Sequence, residues 1–138
     1  MITTNSRQVG GTHYEDIGSI EPVHVMVEFN LNWFQGEVLK YVSRRKNGAI
    51  DLDKAIHICE MANVLKVTNP TSIDKLSRKP YLLVKYQHQF TSRFKDHSEE
   101  SIFYSTLLSI IQSDWNDVIM LIKHLKPILY DREGQQNP

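Results

Sequence analysis

The chain has 138 residues, of which 41% are hydrophobic and 23% charged, and its formal net charge is zero. This composition is typical of one globular domain with an apolar core, and the zero net charge argues against a protein held on DNA by its total charge. A single cysteine, Cys59, excludes an intramolecular disulfide. No apolar run is long enough to span a bilayer and no secretory signal is recognisable, so we expect a cytoplasmic protein without a membrane partner.

The first third of the chain contains an arm and two predicted helices. Residues 1–19 are rich in Gly, Ser, Thr and Asn, which predicts a flexible N-terminal arm. Pro22 suits the first turn of a helix that runs to about Asn30. Asn32 is the expected N-cap of a second helix, and Gly48 suits the left-handed conformation after it. The apolar residues of that second helix fall near one face: Trp33, Phe34, Val38, Leu39 and Val42.

A third helix is predicted from Leu52 to about Val67, with Asp51 as its cap. Its apolar residues form two stripes: Leu52, Ala55, Ile56, Cys59 and Ala62 in one, and Ile58, Met61 and Leu65 in the other. A helix that is apolar on two sides usually lies at the centre of a protein or in a subunit interface.

Residues 69–72 form the clearest internal break and predict a linker. The predicted landmarks beyond it are an interruption at Pro80, a cap at Ser98, a last helix from Ser113 or Asp114 to Pro127, and a frayed tail. Strand-like alternation is scarce, so the predicted fold is all-α, a small bundle of about five to six helices. The expected organisation is an arm over 1–19, a helical motif region over 20–68, a helical extension over 69–130 and a tail over 131–138.

The extension begins with a basic and aromatic segment. Between Lys75 and Lys95 there are six basic residues and no acidic one. They alternate with four aromatic residues, Tyr81, Tyr86, Phe90 and Phe94. Such a mixture can bind single-stranded nucleic acid by stacking. It also fits an amphipathic helix whose aromatic rings pack inward while the cations stay solvated, and we favour this second interpretation.

Cations and a helix start come together between the second and third predicted helices. Lys40 and Arg44 are four residues apart and share a face, on which Gly36 leaves room for a group to approach the backbone. Asp51 and Lys54 lie at the start of the third helix. The free N–H groups of that start point back toward the end of the second helix. Cations beside a helix N-terminus make a phosphate site. The alternative is a solvated face on which Lys40 and Arg44 favour the helix dipole and Asp51 is a plain cap.

Other phosphate and metal motifs are absent from the sequence. It contains no P-loop, no pair of histidines with zinc-helix spacing and no nucleophile elbow. We therefore predict no metal site, and any ligand chemistry has to depend on side-chain charge and helix ends.

Four stretches of the sequence carry a resemblance: VGGTHY, IEPVHVM, NLNWFQGEVLKYVSRRKNG and DLDKAIHICEM. They resemble a phage-encoded family of small proteins that includes the carboxy-terminal part of the nucleotide kinase of T7-type phages. The matched positions are His13, Tyr14, Ile20, Glu21, Gly36, Lys40, Tyr41, Arg44, Asp51, Leu52, Lys54 and Ala55. They cover about residues 8–66. The chain departs from that kinase by lacking its long cysteine-containing amino-terminal region and by its own extension from about residue 71.

The resemblance implies a phage accessory protein that binds nucleotides in the host cytoplasm as a homo-oligomer. It implies more weakly a P-loop-less deoxynucleoside monophosphate kinase with ATP as donor. Lys40 and Arg44 would then neutralise phosphates, with Gly36, Tyr41 and Lys54 beside them. The arm would close the site, with His13 as proton donor or phosphate contact and Tyr14 stacking on the base. Glu21 or Asp51 would orient the acceptor or a metal ion, and a magnesium requirement stays open because no carboxylate pair is obvious.

Several alternatives to this reading stay open. Tyr14 could instead fasten the arm to the helices while His13 bonds to backbone. A non-catalytic phage protein could sequester a nucleotide signal or inhibit a host enzyme through the same surfaces. A nucleic-acid-binding regulator is a third hypothesis, which the net charge disfavours.

Overall fold

The computed structural model describes residues 20–131, which form seven α-helices and no strand. The helices are α1 (Pro22–Glu28), α2 (Trp33–Arg44), α3 (Ala49–Leu65), α4 (Pro70–Arg78), α5 (Pro80–His88), α6 (His97–Ile111) and α7 (Trp115–Lys126), with a 3-10 turn at Thr91–Arg93 and a π-helical turn at Pro127–Asp131. The all-α prediction is confirmed. One helix more than expected is present because Pro80 begins a separate helix rather than bending one. None of the described helices is both long and apolar enough to cross a membrane.

Two sets of predicted features lie outside the described residues. One is the N-terminal arm over 1–19, which includes the predicted site residues His13 and Tyr14. The other is the tail over 132–138. For these the sequence predictions stay predictions.

Helix starts follow local side-chain chemistry, with two corrections. Asn32 and Gln35 form the reciprocal capping box that begins α2, as predicted at Asn32. The cap of α6 is Asp96 rather than the predicted Ser98, because the Asp96 carboxylate accepts a hydrogen bond from the Glu99 N–H at 3.1 Å. The start of α3 is three residues earlier than predicted, directly after Gly48, whose φ of 66° reverses the chain.

The central position predicted for the third helix is confirmed for one of its two stripes. Helix α3 packs between α2 and α7, and it buries Leu52, Ala55, Cys59 and Ala62 completely. In the second stripe Ile58 is buried, Met61 is half-buried and Leu65 is 63% exposed, so this stripe is buried only in part. Burial also raises the pKa of the Cys59 thiol to about 12. Trp33, predicted on the apolar face of α2, is instead 58% exposed.

The segment 69–72 begins helix α4 and carries a polar network, and it is not the predicted linker. Asn69 caps α4 and donates from Nδ2 to Gln35 Oε1 at 2.6 Å. Gln35 is fully buried, and its Nε2 lies 3.0 Å from Ser72 Oγ and 3.0 Å from the Ile111 carbonyl oxygen. Ser72 Oγ donates to that same carbonyl at 2.7 Å. This polar network joins α2, α4 and α6, and it needs tertiary contacts that no local pattern reveals.

The basic and aromatic segment packs as an amphipathic structure, which confirms the favoured interpretation. Tyr86 is fully buried and donates from its hydroxyl to Ser43 Oγ at 2.7 Å. Phe90 and Phe94 pack against Phe103, with ring centroids 5.5 and 5.1 Å away. The segment therefore turns three of its four aromatic rings inward and offers no row of exposed rings for stacking bases.

Candidate anion-binding site

A surface depression of about 220 Å³ lies where α2 ends and α3 begins. The residues that line it are Lys40, Tyr41, Arg44, Lys46, Asn47 and Asp51. The structure thus brings together four of the residues predicted from the sequence and adds Lys46 and Asn47. Both additions lie in the turn between two predicted helices, and that position was the signal available in the sequence.

The turn between α2 and α3 is fixed by its backbone and by a contact from the other end of the chain. Helix α2 ends at Arg44, and the left-handed residue that follows it is Arg45, with φ of 49°, rather than the predicted Gly48, which instead precedes α3. The Arg45 guanidinium donates to the Tyr130 hydroxyl at 3.0 Å and lies 5.8 Å from the centre of that ring. The depression is therefore held between two rigid helix ends.

Asp51 is the buried anion of this site, with 3% of its surface exposed. Its carboxylate accepts hydrogen bonds from the Asn47 backbone N–H at 3.0 Å and the Asn47 side chain at 3.4 Å, and Lys54 Nζ lies 3.7 Å away. The hydrogen bond from the Asn47 backbone is the largest cause that lowers the pKa of Asp51. This carboxylate sits in the first turn of α3 and accepts its hydrogen bonds from Asn47, which precedes the helix. The predicted contribution of the α3 N–H groups to anion binding therefore stays a prediction.

The cations of the site are partly exposed and paired with carboxylates. Lys40 Nζ lies 3.1 Å from Glu37 Oε1, and Arg44 Nη2 lies 3.2 Å from Glu21 Oε1. Lys46 is exposed and makes no ion pair within the described range. Ion pairs between solvated side chains contribute about 0–1 kcal/mol each. A phosphate group can therefore replace either carboxylate at low cost.

The remaining predicted residues occupy different positions around the depression. Glu21 reaches its rim through Arg44, and Lys54 borders it through Asp51. Gly36 does not line it: a Cβ at this position would lie 2.5 Å from Met26 Cε. The space beside Gly36 is filled by the side chain of Met26 in helix α1. Packing between α1 and α2 therefore explains why a glycine stands at this position. Among the described residues, no three His, Cys, Asp or Glu side chains are grouped to hold a metal ion.

Comparisons with known proteins leave the family of this chain open. No family model and no solved structure matches it. Over 102 residues it is 26% identical to the general transcription and DNA repair factor IIH subunit TFB2 of Saccharomyces cerevisiae. The match covers 73% of this chain but only 20% of the yeast protein, so the chain spans about a fifth of that protein's length. The resemblance to the phage family stays a prediction.

Proposed function

We propose that this chain binds nucleotides and holds their phosphate groups in the depression at the α2–α3 junction. The observation that carries the proposal is the convergence of Lys40, Arg44 and Lys46 on one depression whose lining contains one carboxylate, Asp51. Two further carboxylates, Glu37 and Glu21, pair with Lys40 and Arg44 beside it. Cations match the dispersed negative charge of phosphate oxygens, and the Arg44 guanidinium can engage two of those oxygens at once.

The described residues begin beside this depression. The Glu21–Arg44 ion pair places the beginning of the described chain at the rim. Tyr14 precedes Glu21 by seven residues, and an extended chain spans about 3.3–3.6 Å per residue. The proposal therefore includes a contact of His13 and Tyr14 with the bound nucleotide, as the resemblance implies.

In the kinase form of the proposal, ATP is the donor and a deoxynucleoside monophosphate the acceptor. An oxygen of the acceptor phosphate bonds to the γ-phosphorus of ATP while the bond to the departing ADP breaks. Lys40 and Arg44 would neutralise the charge on the phosphoryl group in transit. A sequestering protein would use the same cations without this step, so binding and turnover have to be measured separately.

Titration calorimetry with ATP and each deoxynucleoside monophosphate tests binding, and diphosphate formation tests turnover. Arg44→Ala should weaken binding about tenfold or more because it removes a charge-assisted contact. Lys123→Ala, at an exposed lysine of α7, is the matched control and should leave affinity unchanged. Absence of binding by the wild type, or equal affinities of the two variants, would contradict the proposal.

Glu21→Gln gives a test of opposite sign. The Glu21 carboxylate competes with phosphate for Arg44, so its removal should tighten nucleotide binding by about twofold to fivefold. If Glu21 orients the acceptor, the same variant should lose turnover while binding more tightly. Retention of oligonucleotides by a protein that does not bind mononucleotides would support the regulator instead.

A further inference from the structure

A second depression, of about 380 Å³, adjoins the first. Its lining residues are Tyr41, Ile50, Asp53, Lys54, His57 and Ile58. Tyr41 belongs to both depressions, and Lys54 in the second lies 3.7 Å from Asp51 in the first. The two depressions therefore form one continuous surface feature that runs from the end of α2 along α3.

The chemistry of the second depression differs from that of the first. Two of its lining residues are aliphatic, the buried Ile58 and the 60% exposed Ile50, beside the polar Asp53, Lys54 and His57. Tyr41 lines both depressions, and its ring centre lies 5.1 Å from Lys40 Nζ and 5.5 Å from Lys54 Nζ. An aromatic wall beside aliphatic side chains suits a flat apolar ring better than it suits an anion.

We propose that the second depression is the nucleoside subsite of a nucleotide whose phosphates lie on the Lys40 and Arg44 side of Tyr41. This inference rests on the proposed function. At 220 Å³ the phosphate depression is smaller than the sites of about 300–1,000 Å³ that usually hold small molecules. A nucleotide joins an anionic group to an apolar ring, and the two depressions present cations and apolar side chains in the same order.

A neighbouring depression farther along α3 provides the control. It is lined by His57, Glu60, Met61, Val64 and Leu65, so it meets the second depression at His57 but does not share Tyr41, Ile50 or Ile58. Val64 is 80% exposed there, so Val64→Ala removes an exposed β-branched side chain of the same helix outside the proposed subsite. Ile50→Ala makes the corresponding change inside it, and neither substitution removes core packing.

The test compares deoxynucleoside monophosphates with inorganic pyrophosphate, which lacks a nucleoside. Calorimetry should show that Ile50→Ala weakens nucleotide binding about fivefold and leaves pyrophosphate unchanged, because only the nucleoside contacts this side chain. Val64→Ala should change neither affinity. Nucleotides, but not pyrophosphate, should also shift the NMR signals of the His57 ring protons, which are assigned by comparison with His57→Gln.

The possible outcomes separate this inference from the proposed function. If pyrophosphate binds as tightly as the nucleotides and Ile50→Ala changes neither, the nucleoside subsite is wrong and the phosphate site stands. If Val64→Ala weakens nucleotides as much as Ile50→Ala does, the subsite is also wrong. If neither nucleotide nor pyrophosphate binds, both proposals fail together.

Discussion

The Asp51 side chain both stabilises the turn between α2 and α3, through its hydrogen bonds with Asn47, and lines the candidate site. Because the hydrogen bond from Asn47 lowers its pKa below 3.8, the ionised carboxylate stabilises the folded state. That contribution is fully present above the unfolded pKa and is lost as pH falls through the lower folded value. The charge of Asp51 therefore matters for stability at neutral pH and not in strong acid.

The variant Asp51→Asn should lower the free energy of unfolding by about 1 kcal/mol at pH 7, because it removes a buried charged hydrogen-bond acceptor. The difference from the wild type should stay constant between pH 5 and 7 and shrink below about pH 4. Urea denaturation followed by circular dichroism at several pH values measures it. Asp53→Asn, at an exposed carboxylate paired with Lys126, is the control and should change stability little. A difference that persists undiminished at pH 3 would contradict the role of the charge.

Single residues of the site were predictable where the reason was local. The spacing of Lys40 and Arg44 predicted a shared face, and both line the depression. Glu21 is 23 residues from Arg44, so only the packing of α1 on α2 brings this competing carboxylate to the guanidinium. Gly36 shows the opposite case: the sequence predicted room for a ligand group beside this glycine, but the Met26 side chain occupies that space.

At the scale of helices, the buried Gln35 network connects α2, α4 and α6 through hydrogen bonds. Gln35→Ala should lower the free energy of unfolding by about 2–4 kcal/mol, because it leaves buried polar partners such as the Ile111 carbonyl without a donor. Denaturant unfolding measures the change. Gln112→Ala, at an exposed glutamine after α6, should cost less than about 0.5 kcal/mol. Equal effects of the two substitutions would show that the network contributes nothing specific.

Helix boundaries divide into those that local sequence determines and those that it does not. Asn32 and Asp114 were predictable because Asn and Asp are common N-cap residues. In the structure each side chain accepts a hydrogen bond from the N–H three residues later. Asp96 carried the same signal, since Glu99 follows at the spacing of a capping box, and Glu99 Oε1 accepts from the Lys95 N–H. The 69–72 junction was mistaken for a linker because Asn, Pro and Ser suit loops and helix starts equally well.

At the scale of the whole molecule, one core contains residues from both the motif region and the extension. Helix α7 packs against α3, and its Ile122 is fully buried in the same cluster as Leu52 and Cys59. We therefore expect the described chain to unfold in one cooperative step. The sequence predicted the helices of each region, but the faces by which they share a core depend on contacts between distant segments.

Ile122→Ala should lower the free energy of unfolding by about 3 kcal/mol through loss of buried contacts and a residual cavity. In a Trp33→Phe background, Trp115 fluorescence reports on α7 and far-UV circular dichroism on all helices. The two transitions should coincide and shift together. Met120→Ala, at an exposed position of α7, should shift neither. A fluorescence transition that precedes the loss of helix would show that the extension unfolds by itself.

The buried thiol of Cys59 can report how often the protein opens. It is the single cysteine of the chain, it lies at zero exposure on the central helix, and its raised pKa keeps it protonated in neutral solution. Alkylating reagents react with the thiolate, so modification has to wait until the middle of the bundle opens. The rate at which such a reagent adds to the native protein therefore measures how often those openings occur.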